Sequence, residues 1–397
     1  MRLAVVGAGL LAAAAGAAPA PALAPPLTRL VQTIDRATPG APARDPELAQ
    51  ARYDAARSLA ERLLARQRAA GGASCAERAA LRFALATVRA VEHFDRLLPT
   101  AAAEDAAAAA RAALARGACP AAVLPEAPRL GSLPAGALLP GRGPRLDRRL
   151  AARLAAAVGS FDGAAAAWVH DLSSGRAAGA AESVRFPAAS TVKLGVLVAA
   201  LDRFGPNPER SPVAHDLAAL AGWSSNVAAN RLVRLLGGGD ERRGVALVEE
   251  RLRRLGATAS TYPGAYRAGT VRVLVPPATG RVTTARDLGR VLATLHAAAG
   301  GGTAASERAG LTGREARLAL RLLLAGERTG DNAGILGIAR SLPAAQKHGW
   351  TSSTRHSAAL LYPAAGPVVV VVLTYRPGLD ASAARRLGGR VARIALG

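Results

Sequence analysis

Apolar positions recur with helical spacing through the first third of the chain, and farther along they alternate or cluster as they do in strands. The helical pattern predicts helices over about residues 46–70, 76–98 and 101–116. Gly71-Gly72 and Pro99 interrupt the pattern between them. We therefore expect a separate helical domain over residues 27–122.

A second domain is predicted over residues 146–397. The stretch 123–145 before it is rich in proline and glycine, has little periodicity and predicts a linker. The predicted elements are a helix to about residue 158, strands at 164–172 and 176–183, a hairpin of strands at 358–362 and 368–375, and a final helix at 381–396. Terminal strands that enclose a helical middle predict an α+β domain with an antiparallel sheet.

The first residues predict a secretory signal peptide over residues 1–22. Met1-Arg2 precedes an apolar run over residues 3–18, and small residues follow at 20–22. Prolines from Pro19 onward end the run before it reaches the ~20 residues that a spanning helix needs. We expect cleavage and a secreted, periplasmic or otherwise extracytoplasmic location, with an uncleaved membrane anchor as the alternative.

The formal net charge of +23 does not predict nucleic-acid binding. Its excess is almost all arginine, it is spread along the whole chain, and aromatic residues make up only 3% of the sequence. Binders of single strands combine a basic groove with aromatic stacking platforms, which this composition lacks. The charge is compatible with weak attraction to an anionic cell envelope.

Only two of the 51 basic residues are lysines, Lys193 and Lys347. Arginine does not give up its proton in a protein, whereas the pKa of a lysine can be lowered until the amine acts as a base. These two positions are therefore the first places to look for chemistry.

Both cysteines, Cys75 and Cys119, lie in the predicted helical domain. In an exported protein they predict one disulfide between the start of the second helix and the end of the third. Two unpaired buried thiols are the alternative, because the sequence does not show their separation. The six histidines have no metal-ligand spacing, and we expect neither a metal nor a cofactor.

Ser190 lies at a predicted helix start and precedes Lys193 by three residues. On a helix this spacing places the hydroxyl and the amine on one face, one turn apart. Burial and nearby positive charge lower a lysine pKa, so a neutral amine could accept the serine proton. A serine three residues before a lysine is common by chance, but here it involves one of the two lysines.

A second motif, Trp223-Ser224-Ser225-Asn226, precedes a predicted helix over residues 227–236. Ser224 is either the N-cap of that helix or a group that passes a proton to the leaving group. Asn226 is a candidate for hydrogen bonding to a substrate amide.

A third motif, Gln346-Lys347-His348-Gly349-Trp350, precedes the hairpin on an expected inner strand. Lys347 would meet a substrate carboxylate there, and Gly349 would let the substrate backbone approach closely. A solvated lysine is the alternative interpretation.

In order, spacing and flanking sequence these motifs resemble the Ser-x-x-Lys, Ser-Asp-Asn and Lys-Thr-Gly boxes of class A β-lactamases and penicillin-binding proteins. The resemblance covers about residues 146–396. It implies a β-lactamase-like antiparallel sheet flanked by helices, with an all-helical subdomain. The site residues implied are Ser190 as nucleophile, Lys193 as its proton acceptor, Ser224 as a catalytic group, Asn226, Lys347, His348 and Gly349 as substrate contacts, and the amides of Ser190 and Trp350 as the oxyanion hole.

Three departures from the family pattern bear on the mechanism. Ser225 replaces the second-box aspartate and His348 replaces the third-box hydroxyl residue, and each can still hydrogen-bond. True class A enzymes also carry a loop glutamate that activates the deacylating water. No glutamate occurs between Arg251 and Ser306, and its place falls near Tyr266, which is not a base at neutral pH.

The sequence therefore predicts an exported serine hydrolase that forms an acyl-enzyme at Ser190 with β-lactams or related amides and deacylates slowly. A D-Ala-peptide hydrolase or penicillin-binding protein acting on peptidoglycan is the first alternative. A non-catalytic cell-wall-binding protein is the second, and the two retained lysines argue against it. The expected partner is a small-molecule substrate, with association to the cell wall; the oligomeric state is left open.

Overall fold

A computed structural model describes residues 22–38, 45–69, 73–122, 127–138, 140–205, 207, 211–267, 275–328, 334–337 and 342–397. The expected signal peptide therefore lies outside the described residues except for Ala22, and so do residues 123–126 and 139 of the expected linker. Within the described ranges, no helix combines the length and the apolar character needed to cross a bilayer.

The described residues divide into two compact units. The first takes the described parts of Met1–Pro42, Ala51–Val91 and Pro99–Leu124, and the second those of Ala43–Gln50, Glu92–Leu98 and Pro125–Gly397. Four helices supply the first unit: α1 (Pro25–Arg36), α2 (Pro46–Ala69), α3 (Cys75–Asp95) and α4 (Ala101–Ala115). The first turn of α2 and the last turn of α3 belong to the second unit.

In the first unit, small and aliphatic side chains form most of the core, as the alanine-rich sequence predicts, and Tyr53 and Phe83 are buried among them. Helix α1, which the sequence analysis missed, is amphipathic and buries Leu27, Val31 and Ile34. A disulfide joins Cys75 to Cys119, so the alternative of two unpaired thiols is not what the structure contains.

The second unit is built on a six-stranded sheet with the order β1-β3-β2-β8-β7-β6. Its strands are β1 (Arg145–Leu146), β2 (Ala164–Asp171), β3 (Arg176–Ala180), β6 (Ala344–Trp350), β7 (Arg355–Leu361) and β8 (Val368–Tyr375), and a separate pair is formed by β4 (Phe186–Pro187) and β5 (Val282–Thr283). Every pairing in the large sheet is antiparallel except that of the short β1 with β3. The predicted α+β class is confirmed.

Nine helices of the second unit lie within its described residues. They are α5 (Arg148–Gly159), α6 (Lys193–Phe204), α7 (Ala214–Gly222), α8 (Asn226–Leu236), α9 (Glu241–Arg254), α10 (Ala285–Ala299), α11 (Thr303–Ala309), α12 (Gly313–Arg328) and α13 (Ala381–Leu396). Leu154 of α5 and Val391 of α13 pack with one face of the sheet, while Leu292 of α10 and Leu197 of α6 pack with the other. Because helices cover both faces, β8 is buried throughout and is apolar without interruption from Val368 to Leu373.

The expectation that the third motif lies on an inner strand is wrong. Strand β6 pairs with β7 alone among the described strands and forms an edge of the sheet. Its residues from Ala344 to Gly349 are nevertheless buried, because α12 packs against the strand, and this burial gives the motif the pattern of an inner strand.

Candidate active site

Ser190 lies in a tight turn between β4 and α6. Thr191 N donates to Ala188 O at 3.1 Å and Lys193 N donates to Ser190 O at 3.2 Å, so the turn is tighter than an α-helix. Ala189 has φ +47°, in the left-handed region that non-glycine residues rarely adopt. The helix thus begins at Lys193 rather than at Ser190, and the half-buried serine is held by the turn before it.

Lys193 is fully buried at the start of α6. Its Nζ donates to Ser224 O at 2.5 Å and to Asn226 Oδ1 at 2.6 Å, so both partners come from the second motif. Burial lowers the pKa of Lys193 to about 7, while the charge of Asp95 opposes that change and the charge of Arg281 adds to it. A substantial fraction of the amine is therefore neutral near pH 7.

Lys347 projects from β6 and is also fully buried, which excludes the interpretation as a solvated lysine. Its Nζ donates to Ser224 Oγ at 2.6 Å and to His348 O at 2.9 Å. Burial, together with the charge of Lys193, holds the pKa of Lys347 well below its ordinary value. Ser224 thus has a lysine on each side, one at its carbonyl and one at its hydroxyl.

The N-cap of α8 is Ser225, not Ser224. Ser225 Oγ accepts from Ala228 N at 3.1 Å, which is the ordinary capping bond. Ser224 adopts φ +65° immediately before it, and this backbone conformation frees its hydroxyl for Lys347. The N-cap alternative for Ser224 is therefore wrong, and the replacement of the box aspartate by Ser225 preserves the cap.

Gly349 brings the edge of β6 against the turn that carries Ser190. A methyl group placed on Gly349 would lie 3.0 Å from Ser190 N and 3.1 Å from Ala188 O, so only glycine fits without displacement. Thr351 N donates to Thr354 O across the β6–β7 turn. Because hydrogen-bonded and non-bonded pairs alternate in an antiparallel ladder, the amide of Trp350, paired with Arg355, points to the free edge. The oxyanion hole formed by the amides of Ser190 and Trp350, which the resemblance implies, stays a prediction.

His348 differs from the other residues of the third motif. Strand alternation places its side chain on the face of β6 opposite to Lys347. Burial and the charges of Lys347 and Lys193 hold the pKa of His348 well below its ordinary value, so the imidazole is neutral at pH 7. A contact of His348 with a substrate carboxylate stays a prediction, and in it a neutral imidazole N–H would donate to the carboxylate without forming an ion pair.

Tyr266 occupies the place where the sequence analysis located the missing loop glutamate. Tyr266 N donates to Asn230 Oδ1 at 2.7 Å and Asn230 Nδ2 donates to Tyr266 O at 2.9 Å, which ties the loop to α8. The ring centre lies 4.3 Å from Lys193 Nζ and 3.9 Å from the guanidinium carbon of Arg281. Its hydroxyl donates to Ala189 O at 3.0 Å, and burial raises the pKa of Tyr266 to about 12.

Two residues near this site were missed by the sequence analysis. Asp95, in the last turn of α3, contacts Ser225 and Asn226, and Arg281 stacks on Tyr266. Neither lies in a motif, and Asp95 falls in the stretch that the sequence assigns to a separate helical domain without a catalytic constellation. No signal in the linear sequence separates Asp95 from the other acidic residues on helix surfaces.

The comparison with known families decides the relationship. A family model described as the β-lactamase enzyme family matches residues 149–208 and 205–397, which is more than half of the chain. The protein belongs to the β-lactamase enzyme family. The matched region contains all three motifs, and it begins after the first four helices.

Solved structures share this β-lactamase fold. The structure of PBP-A is 19% identical with a TM-score of 0.50, and covers 64% of this chain and 98% of its own. A β-lactamase from Xanthomonas campestris pv. campestris is 25% identical with a TM-score of 0.49, and covers 62% of this chain and 96% of its own. A mutant of PBP-A, solved as an acyl-enzyme complex with penicillin G, is 18% identical with a TM-score of 0.50, covering the same shares as PBP-A. No curated protein matches the chain.

Proposed function

We propose that this member of the β-lactamase family attacks β-lactams or related amides with Ser190 and forms a long-lived acyl-enzyme. The observation that carries the proposal is Lys193, a fully buried lysine one tight turn after Ser190, whose pKa is lowered to about 7. A neutral amine in this position can accept the hydroxyl proton, which a permanently charged group cannot do.

The acylation step follows from the contacts of Ser224. Ser190 Oγ forms a bond to the substrate carbonyl carbon while its proton passes to Lys193 Nζ. The amides of Ser190 and Trp350 stabilise the charge that develops on the carbonyl oxygen. When the C–N bond breaks, the leaving nitrogen takes a proton from Ser224 Oγ, Lys347 Nζ replaces that proton through its bond to the same hydroxyl, and Lys193 keeps the proton of Ser190. No atom beyond these groups and the substrate is required.

Tyr266 supports slow release of the acyl group. Deacylation needs a base that activates water, and the loop residue here is a phenol whose pKa of about 12 keeps it protonated. Its hydroxyl proton is already donated to Ala189 O, and its ring covers one side of Lys193. Loss of a general base typically slows a step by about 10²–10⁴-fold.

The test of this function is intact-mass spectrometry after incubation with a penicillin. We expect a mass increase equal to the intact penicillin, located at Ser190, that decays slowly. Ser190→Ala should abolish the adduct, and the exposed Ser183→Ala should serve as a matched control that labels fully. Equal labelling of Ser190→Ala would show that another group is the nucleophile.

A D-Ala-peptide hydrolase acting on peptidoglycan is the second candidate, and the tyrosine at the glutamate position favours it. Such an enzyme would use the same acylation step on a peptide and be inhibited by β-lactams rather than consume them. Incubation with a D-Ala-D-Ala peptide distinguishes the two: release of D-alanine at a rate above that of β-lactam turnover assigns the chain to peptides. Absence of any adduct with either substrate would leave the non-catalytic wall-binding function. For all three, we propose an extracytoplasmic location.

A further inference from the structure

The last turn of α3 places a carboxylate at the start of α8. Asp95 Oδ2 accepts from Ser225 Oγ at 2.6 Å, and Asn226 N donates to Oδ2 at 3.0 Å and to Oδ1 at 3.3 Å. Asp95 is half-buried in this contact. Its partner Ser225 stands where the family motif has an aspartate, so the negative charge absent from the motif is supplied from another helix.

These bonds fix the segment that holds Lys193. Ser225 Oγ donates to Asp95 while accepting from Ala228 N, so the hydroxyl ties the carboxylate to the first turn of α8. The residues on either side, Ser224 and Asn226, supply both oxygen atoms that bind Lys193 Nζ. A change at Asp95 therefore affects the position of Lys193 through the two hydrogen bonds that its Nζ makes with Ser224 and Asn226.

A second residue that contacts α8 from one of the first four helices lies in the first turn of α2. Gln50 Nε2 donates to Val227 O at 3.0 Å, and Gln50 Oε1 accepts from Asn230 Nδ2 at 2.9 Å. Asn230 in turn holds the backbone of Tyr266. Both Gln50 and Asp95 precede residue 149, at which the family match begins.

We propose that Asp95 is a positioning residue of the active site, whose carboxylate replaces the missing second-box aspartate, holds Ser224 and Asn226 against Lys193, and opposes the positive charge of Arg281. This role rests on the function proposed above. It makes a segment outside the matched family region a functional part of the site.

The charges that face Lys193 set the direction of the expected effect. Asp95 stabilises the ammonium form of Lys193, whereas Arg281 from the segment before β5 opposes it, and the charge of Lys193 in turn lowers the pKa of Lys347 on β6. The Tyr266 ring is uncharged at neutral pH. Removing the Asp95 charge leaves burial and the opposing charge of Arg281, so we expect the pKa of Lys193 to fall.

Because the chain has only two lysines, the titration of Lys193 can be observed directly. Tag-free protein labelled with ¹³Cε-lysine gives two side-chain resonances, and Lys347→Arg assigns them. In Asp95→Asn we expect the pKa of Lys193 to fall by about one pH unit. The plateau rate of acylation by a penicillin should fall about tenfold, since a charge-assisted bond to the loop is lost. Asp105→Asn, an exposed carboxylate on α4, is the matched control and should change neither value.

A double variant that exchanges the residues at positions 95 and 225 tests whether any loss in Asp95→Asn comes from misfolding. Asp95→Ser combined with Ser225→Asp moves the carboxylate to the N-cap, where aspartate is also a good cap. We expect this double variant to restore the pKa of Lys193 and the acylation rate toward wild-type values. An unchanged pKa of Lys193 in folded Asp95→Asn, or no restoration in the exchange, would overturn the proposal. If wild-type protein forms no adduct with a penicillin, the proposed function fails, while the lysine titration still tests the role of Asp95.

Discussion

The ring centre of Tyr266 lies 4.3 Å from Nζ of Lys193. By the sequence resemblance, Tyr266 stands near the position of the loop glutamate of class A enzymes. An aromatic face gives the ammonium form of Lys193 a weak electrostatic partner without offering a base. The guanidinium of Arg281 stacks on the same ring, so the ring is held in place beside the lysine. For the proposed function, Lys193 can serve acylation, whereas the phenol of Tyr266 beside it is not a base that activates water.

Replacing Tyr266 by glutamate should therefore accelerate deacylation. The contacts of Asn230 are with the backbone of Tyr266, so the loop can keep its path in Tyr266→Glu. We expect hydrolysis of the acyl-enzyme to rise by about 10²–10⁴-fold, measured by pre-steady-state kinetics with a chromogenic cephalosporin. Tyr262→Phe, which alters the neighbouring ring without adding a carboxylate, is the control. Rapid wild-type turnover without a burst would show that another deacylating group exists.

The rate of acylation should depend on pH through Lys193. The pKa of this amine is lowered to about 7, and only the neutral form accepts a proton. Acylation should therefore rise as the pH increases through about 7 and level off above it. Lys193→Arg keeps the charge but removes the titratable amine, so we expect a loss of about 10²-fold or more and no rise near pH 7. Near-normal acylation in that variant would exclude Lys193 as the base.

Lys347 should contribute to substrate binding by interacting with the negative charge of a substrate carboxylate. Its Nζ donates to Ser224 Oγ at the sheet edge, and the family resemblance assigns this lysine to the substrate carboxylate. Lys347→Ala should weaken the acylation of carboxylate-bearing substrates about tenfold more than that of the matching methyl esters. Equal losses for the acid and the ester would indicate that Lys347 acts only by holding Ser224.

Gly349 should not accept a side chain. A Cβ there would lie 3.0 Å from Ser190 N and 3.0 Å from Thr191 Cγ2, so the turn carrying the nucleophile must shift in Gly349→Ala. We expect the rate of acylation to fall about tenfold or more. The free energy of unfolding, measured by denaturant, should fall by about 1–3 kcal/mol. Gly159→Ala, at an exposed position where a Cβ meets nothing within 4 Å, is the matched control. A normal acylation rate in Gly349→Ala would show that the turn tolerates displacement.

The disulfide should stabilise the first unit. Cys75 and Cys119 are 44 residues apart, and closing a loop of that length is worth about 4 kcal/mol in the chain-entropy model. Replacing both cysteines by serine should lower the free energy of unfolding by up to that amount, measured by urea denaturation. Two free thiols titrated in denatured, exported protein would contradict the bond.

Local patterns in the sequence predict much of this fold. The runs at Val368–Tyr375 and Ala381–Leu396 give a buried strand and an amphipathic helix with the expected bounds. The position of β6 could not be predicted, because burial by α12 makes an edge strand look like an inner one. Strand order depends on contacts between segments that are distant in the sequence, and such contacts produce no periodic pattern of apolar residues.

The site shows the same division. Ser190, Lys193 and Lys347 stand out because their spacing or rarity is visible in one dimension. Asp95 is separated from Ser225 by 130 residues, and nothing in its own neighbourhood distinguishes it. Its importance arises only when α3 and α8 are folded, and a linear motif search passes over it.

The contacts of Gln50 and Asp95 with α8 constrain how this gene can be divided. A fragment trimmed to residues 149–397 would retain every motif residue of the family and yet lose the carboxylate that anchors Ser225 and Asn226. The first turn of α2 and the last turn of α3 therefore belong with the second unit. Recombination that exchanged them for an unrelated leader segment would have to supply an acid at the same point, or restore the aspartate at position 225.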